Sequence, residues 1–543
     1  MENIPKILML SAFLSLLVDT AVSTPPAYRH SYHIRGENAS SSAMVSSTLA
    51  QGEFIKNFEF ILPEKFKKAL EVVKSSGKSK EKYFMEDVIQ NLRKKWEKFV
   101  LPRRLSAFDD CLVMTVDTID QIKTSIEILN GVKLSKEDIS SLNASQRLQL
   151  NILFGAANAN VATCLDGFSH SHKAKEIQAD IRKADWTLLQ HTAGFVYSTV
   201  KTLQDKEPDN VNVPPDSEEW PKWLSPKEKA LLRNDLDGVV VHATVSLDKP
   251  GDYKTVSEAV NYVRAIIHAK APSLGRRYVI RIKAGKYKEN VVIPKDMKNL
   301  TFIGDGSDKT FITGDKNVID GDTTFNSATV GVAGDGFFAS GITFENTAGP
   351  SKNQAVALRV NADLTAFYLC NIIGHQNTLY VHSFRQFYKH CTIRGTVDFI
   401  FGNAAAFFYS CYIEPRILNS DQKYIITAQS RDDERQETGI VIHRSSIKAE
   451  TDGEGKFTTY LGRPWGKYSR TVVMQNEISD VLDPAGWSEW KGKFALDTLE
   501  YVEYMNTGAG AGKQDRVTWV GILKEPIKKK MLEPFTIGNF LGS

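Results

Sequence analysis

Cysteine is scarce in this chain. Five of 543 residues are cysteine (Cys111, Cys164, Cys370, Cys391 and Cys411). None shows C-x-x-C spacing, which excludes a disulfide-built miniature fold and a zinc ribbon. The odd count leaves at least one thiol free or paired between chains. Charge of one sign is also lacking. A formal net charge of +4 permits a weak attraction for a polyanion but is far from a nucleic-acid-binding balance, so no nucleic-acid partner is expected. Beyond the N-terminus no run approaches the ~18 apolar residues of a membrane span, so no membrane partner is expected either. No cluster of acids suited to calcium is found, and the Gly508-Ala-Gly-Ala-Gly512 run lacks the strand–loop–helix context of a nucleotide site. Neither a metal nor a cofactor is expected.

What is present begins with an export signal over residues 1–23. Lys6 supplies positive charge, Ile7 to Val18 form an apolar run, and Ala21-Val22-Ser23 offers the small residues of a cleavage site. A buried N-terminal helix is the alternative reading, which the cleavage pattern disfavours. Three sequons, at Asn38, Asn143 and Asn299, fit a secreted glycoprotein.

The rest falls into two halves with different periods. Residues 50–204 carry helical stripes: Phe84, Val88, Leu92, Trp96 and Phe99; then Leu112, Val116, Ile119, Ile122 and Ile126; then Ile177, Ile181, Leu188, Val196, Val200 and Leu203. Each stripe must bury one face against a neighbour, which predicts a bundle. Cys111 and Cys164 fall on two different segments, where a disulfide would staple them; two unrelated buried thiols is the alternative. Residues 205–237 read as a linker, because Pro208, Pro214, Pro215, Pro221 and Pro226 interrupt helices.

From 238 to 543 short runs rich in Val, Ile, Phe, Tyr and Thr alternate with Gly, Asn and Asp, and long helices are nearly absent. One phrase recurs: Phe367-Tyr-Leu-Cys-Asn-Ile372, Phe387-Tyr-Lys-His-Cys-Thr-Ile393 and Phe408-Tyr-Ser-Cys-Tyr-Ile413, with cysteines 21 and 20 residues apart. A period near 20 without helices predicts a coil of parallel strands, with like residues stacked about 4.8 Å apart. An antiparallel sandwich is the alternative. The laddered cysteines would be either bridged or an unbridged apolar stack.

Several motifs occur in one order: Gly285-x-Tyr287-x-Glu289, Gln354-Ala-Val-Ala-Leu-Arg359, Gly395-Thr-Val-Asp-Phe-Ile-Phe-Gly402, Leu461-Gly-Arg-Pro-Trp465, Gly486-Trp487 and Tyr501-x-Glu-Tyr-x-Asn506. Together they closely resemble carbohydrate esterases of the pectin methylesterase family, over about residues 238 to 540. The front half resembles the pectin methylesterase inhibitor family. Its Ala162-Thr-Cys-Leu-Asp-Gly-Phe168 phrase and Cys111 match that family's second cysteine pair. The resemblance implies an all-β right-handed parallel β-helix preceded by an all-α four-helix bundle. It also implies a wall-located, secreted enzyme that hydrolyses methyl esters of pectin homogalacturonan, and an intramolecular or intermolecular contact through the inhibitor-like bundle.

Physically, the motifs make an ester hydrolase without a serine, since no Gly-x-Ser-x-Gly elbow is present. A carboxylate attacks the ester carbonyl instead and forms an acyl-enzyme anhydride. By the resemblance Asp398 is that nucleophile, and Arg463 holds it. Gln354 and Gln376 match the amides that donate to the oxyanion. Phe401 and Trp465 match aromatics lining the cleft, and Thr324 matches a substrate-contacting position. Tyr287 and Glu289 are landmarks without an assigned chemical role.

The chain departs from the pattern where the family reads Gly-Tyr-Gln-Asp-Thr-Leu-Tyr. Here the phrase is Gly374-His-Gln-Asn-Thr-Leu-Tyr380, so Asn377 stands where the proton-donating aspartate is expected. An amide cannot exchange a proton in this range, which predicts that binding survives while turnover is weak. His375 is the other group at hand. The inhibitor-like half lacks the family's first cysteine pair, and Lys229-Ala-Leu-Leu232 has one basic residue where the processing site has two. Ser445 replaces a frequent cysteine, and the family's usual C-terminal stretch is absent. A non-catalytic pectin binder and an inhibitor-type interaction protein are the competing functions. Pectate lyase and polygalacturonase fit worse, for want of a calcium cluster and of a second acid beside Asp398.

Overall fold

The computed structural model describes residues 93–95, 106–130, 143–169, 173–181 and 219–542, apart from short stretches at 249–250, 270–275, 417–422, 450–457, 524–526 and 528. The export signal, Asn38 and the stripes of residues 84–99 and 188–203 lie outside these, save for a helical fragment at 93–95. The described residues belong to one compact unit, Lys82–Ser543.

Among the described residues twenty-five short strands wind into three sheets of ten, seven and eight, and their pairings are all parallel. The first sheet runs from Ala243–Val245 to Glu500–Tyr504, the second from Val291–Ile293 to Thr458–Gly462, the third from Gly285–Lys288 to Glu477–Ile478. Strands from successive turns neighbour one another, so this is the parallel β-helix that the period predicts. Its interior is one apolar column.

The repeated phrase aligns on its cysteines, not its phenylalanines. Phe367 pairs with Tyr388, and Tyr388 with Phe408; their rings stack at 4.9 and 4.7 Å inside the coil. Phe387, one residue off, pairs with Phe407 and faces outward. The extra residue of the middle phrase thus flips its phenylalanine to the other face. Cys370, Cys391 and Cys411 are free and buried. Each follows a left-handed corner residue (Leu369, His390, Ser410, φ +51° to +52°), and the same corner continues at Arg444, Gln475 and Met505. Ser445 extends the ladder in polar form: its Oγ accepts from Cys411 N–H at 2.9 Å, Asn476 Oδ1 accepts from Ser445 N–H at 2.8 Å, and Asn506 Oδ1 accepts from Asn476 N–H at 2.9 Å.

Among the described residues ahead of the linker lie helices α1 (Ser106–Asn130), α2 (Ala144–Asp166) and α3 (Ala174–Ile181). Cys111 on α1 and Cys164 on α2 are bridged. Leu112, Val116 and Ile119 are only half-buried. The buried face of α1 carries Phe108, Cys111 and Met114 with Thr115, Thr118, Gln121 and Ser125. Polar side chains are tolerated there because Thr115, Thr118 and Ser125 donate to the carbonyl four residues back, and Asn160 of α2 donates to Thr118.

The linker is not loose where it is described. Ser225 and Glu228 form a capping box for α4 (Pro226–Leu232), with Pro226 in the first turn where proline is tolerated. Trp220, Leu224 and Leu232 bury against the first sheet. A fifth helix, α5 (Val256–Ala269), runs counter to the expectation of few long helices after 238. Glu289 explains its start, accepting from Val256 N–H, Ser257 N–H and the Ser257 hydroxyl at 2.5–2.9 Å. Tyr287 is buried, its hydroxyl donating to Lys283 O. Both landmarks are therefore structural. At the other end α6 (Ile537–Leu541) docks Phe540 and Leu541 on the first sheet.

Candidate active site

The outer face of the second sheet presents one row of side chains. Gly331, Arg359, Tyr380, Phe401 and Ala428 pair in successive register. Thr427 pairs with Gly462, so Arg463 comes next in line. Tyr380 and Phe401 stack at 4.2 Å, and Trp465 lies 5.9 Å from Phe401.

Asp398 stands at the corner that enters this row. Its φ is +50°, and Asn377, one turn earlier, has φ +61°, a region that Asn and Asp adopt more readily than most residues. The two corners are stitched by Asn377 N–H donating to Val397 O at 3.0 Å. Asp398 is 4% exposed. Arg463 grips it with both ends of its fork, Nε on Oδ1 at 2.8 Å and Nη2 on Oδ2 at 2.6 Å. Burial pushes the carboxyl above its usual range, while the hydrogen bonds and charge of Arg463 hold it back. The guanidinium lies over Trp490 at 4.4 Å. This strand approaches closely because residue 462 is glycine: a Cβ there would stand 2.1 Å from Thr427 Oγ1.

The amides are next door. Ala355 N–H donates to Gln376 O at 3.1 Å, which sets Gln354 and Gln376 on adjacent turns beside Asn377. Thr324 and Trp465 line a common pocket with Thr323, Phe325 and Tyr380. The structure thus brings Asp398, Arg463, Gln354, Gln376, Asn377, Phe401, Trp465 and Thr324 to one side of the coil. His375 is engaged elsewhere: its Nε2 lies 3.3 Å from Arg416 Nη1. A guanidinium only donates, so Nε2 is the acceptor there.

The resemblance implied a contact through the inhibitor-like bundle, but sequence reasoning missed the residues that make it. Thr163 of α2 bonds to Tyr380 OH at 3.0 Å and to His382 Nε2 at 2.9 Å. Asp110 of α1 accepts from the Thr323 hydroxyl. Phe108, Phe168 and the Cys111–Cys164 bridge share one buried cluster with Phe325, Tyr380, Phe401 and Ala428, which leaves Phe401 1% exposed. Asp110 and Thr163 each precede a bridged cysteine, so the disulfide holds both over the cleft. A signal was present for the row itself, since 359, 380 and 401 are spaced by the coil's own 21 residues. Burial pushes His382 down to about 3, so it is neutral. Among the described residues no group of acids, His and Cys is suited to a metal ion, and no helix is long and apolar enough to cross a membrane.

Comparison with known proteins places this arrangement. The Pectinesterase family profile matches residues 242–543. Pectinesterase 1 of Citrus sinensis is 46% identical over 454 residues, covering 81% of this chain and 75% of its own length. Pectinesterase/pectinesterase inhibitor 3 of Arabidopsis thaliana is 43% identical over 486 residues, 84% of this chain and 79% of its own length. The solved pectin methylesterase from carrot superposes with a TM-score of 0.53 at 56% identity, over 56% of this chain and 93% of that one. The chain belongs to the pectinesterase family.

Proposed function

We propose that the chain hydrolyses methyl esters of pectin homogalacturonan, releasing methanol, and that Asn377 makes this turnover slow. The observation that carries the reading is the doubly hydrogen-bonded Asp398–Arg463 pair beside the aromatic row. In this reading residues 238–543 are the esterase, 50–204 the inhibitor-like half, 205–237 the linker and 1–23 a secretion signal to the cell wall.

Each residue then has one task. Arg463 keeps Asp398 ionised against its burial and points one oxygen at the ester carbonyl. Attack forms a C–O bond and moves an electron pair onto the carbonyl oxygen, where the Gln354 and Gln376 amides donate. Collapse expels the methoxy group, which must gain a proton as it leaves. An aspartate at 377 would supply that proton and later take one from the water that opens the anhydride. Asn377 does neither, at a cost of about 10²–10⁴ in rate. His375 is a poor substitute, because Arg416 holds its Nε2 as an acceptor and opposes a second proton on the ring. Phe401, Tyr380 and Trp465 line the path of sugar rings once α1 and α2 lift away, and Thr324 offers a hydroxyl at the pocket wall.

A second reading is favoured by the burial of Phe401 under α1 and α2: the inhibitor-like half covers the cleft of its own chain. Methanol release from methyl-esterified homogalacturonan tests the first reading. Asp398→Asn is expected to abolish it and leave pectin binding in place. Release that survives Asp398→Asn would remove Asp398 from the chemistry.

A further inference from the structure

The helical cover meets the coil through opposite charges. Asp110 and Asp117 are two turns apart on α1 and share a face, with Asp120 beside Asp117. Lys295, just past the strand Val291–Ile293, places Nζ 3.1 Å from Asp117 and 3.3 Å from Asp120. Arg359, in the cleft row, is 7% exposed, and its Nε has no hydrogen-bond partner. Its guanidinium lies 3.3 Å from the centre of the Phe325 ring and so close over residue 331 that a Cβ there would meet Nη2 at 2.7 Å. Desolvation pulls Arg359 down to about 10, and Asp110 and Asp117 act against that. In return Arg359 favours the charged form of both carboxyls.

These cations continue the cleft. In the order of the second sheet the strand preceding Arg463 is at one edge, the strand of Arg359 is four steps away, and the strand before Lys295 is two steps further, at the other edge. The Asp398 corner enters the strand Ile400–Gly402, two steps in from that first edge, so at ~4.8 Å per step the strands of Arg359 and Lys295 are roughly 10 and 19 Å from it, the scale of an extended oligosaccharide. With α1 lifted, Arg359 and Lys295 lose the carboxylates that now offset their charge.

We infer that Lys295 and Arg359 form a carboxylate-binding track for unesterified uronate residues of the polymer, and that Asp117 and Asp120 occupy its Lys295 end by standing in for those carboxylates. The polymer's identity rests on the esterase reading; the charge matching does not. A methyl ester carries no charge for a desolvated cation, whereas a uronate does. Seating of α1 and binding of polyuronate are therefore mutually exclusive. De-esterified polymer displaces the cover, and esterified polymer does not.

Hydrogen exchange of the α1 amides in the full chain tests this, with unesterified and fully methyl-esterified oligogalacturonates of equal length as probes. The unesterified probe is expected to raise α1 exchange and the esterified one to leave it unchanged. Lys295→Gln, at a half-exposed side chain that the core does not need, is expected to weaken binding of the unesterified probe roughly three- to tenfold. The variant Asp120→Asn removes one carboxylate from Lys295, loosens the cover and is expected to respond at lower probe concentration. Equal effects of the two probes, no response in Asp120→Asn, or unchanged affinity in Lys295→Gln would each overturn the track. Methanol release by Asn377→Asp, read in parallel, separates the two claims: release without a response to the acidic probe refutes the track alone, and a charge-selective response without release refutes the esterase reading alone.

Discussion

Asp110 should make the cover seat more tightly as pH falls. Its carboxyl is raised from 3.8 to about 6, first by burial; the Thr323 hydrogen bond and Arg359 pull it down, and Asp109 and Asp322 push it up. The seated form therefore holds a proton that the unseated form has already released. The contribution of Asp110 to seating is full below pH 3.8 and is lost progressively as pH rises through about 6. The whole window is worth about 3 kcal/mol, or roughly 100-fold in the seating equilibrium. Asp117 is raised as well, chiefly by burial, and adds in the same direction. His382, lowered from 6.5 to about 3 by burial beside Thr163, works the opposite way, since a ring re-exposed on lifting takes a proton that the seated ring refuses. Hydrogen exchange of the α1 amides at about pH 4.5 and 7.5, corrected for intrinsic rates and compared between the unaltered chain and Asp110→Asn, isolates the Asp110 contribution. Asp110→Asn keeps an acceptor for Thr323 and should lose that contribution. The same pH dependence in the unaltered chain and in Asp110→Asn would refute the reasoning.

Other perturbations follow the same physics. Replacing Cys111 and Cys164 by alanine opens a loop of 53 residues, for which chain entropy gives about 4 kcal/mol; thermal unfolding of the helices should shift down, and Phe401 should become accessible to solvent quenching. Arg463→Lys keeps the charge but loses the two-pronged grip, so methanol release should fall at least about tenfold with little change in unfolding temperature. Glu289→Ala removes the cap of α5 and should cost about 1–2 kcal/mol in denaturant unfolding while leaving pectin binding unchanged; a binding defect would contradict its structural role.

Much of the fold was legible because a coil repeats itself in sequence. The 21-residue recurrence of Cys370 and Cys391 is one turn of the helix, and residues 359, 380 and 401 form the cleft row by the same arithmetic. Register was less legible, since one added residue in the phrase at Phe387 turns that ring outward. The corner of Asp398, Arg463, Asn377, Gln354 and Gln376 was readable as a set of motifs, because the coil stacks residues a turn apart. The polar part of the buried α1 face was less legible because Thr115, Thr118 and Ser125 satisfy their hydroxyls inside the helix, so polarity there does not mark solvent. The contacts of Asp110 with Thr323 and of Thr163 with Tyr380 join residues more than 200 positions apart, and no local pattern encodes such pairs.

In the proposed mechanism Asp398 is the nucleophile and Asn377 leaves it without an acid–base partner. Initial rates of methanol release, compared between the unaltered chain and Asn377→Asp at saturating esterified homogalacturonan, address it most directly. A rise of about 10²–10⁴-fold is expected on restoring the carboxyl; equal rates, both well above background, would contradict it.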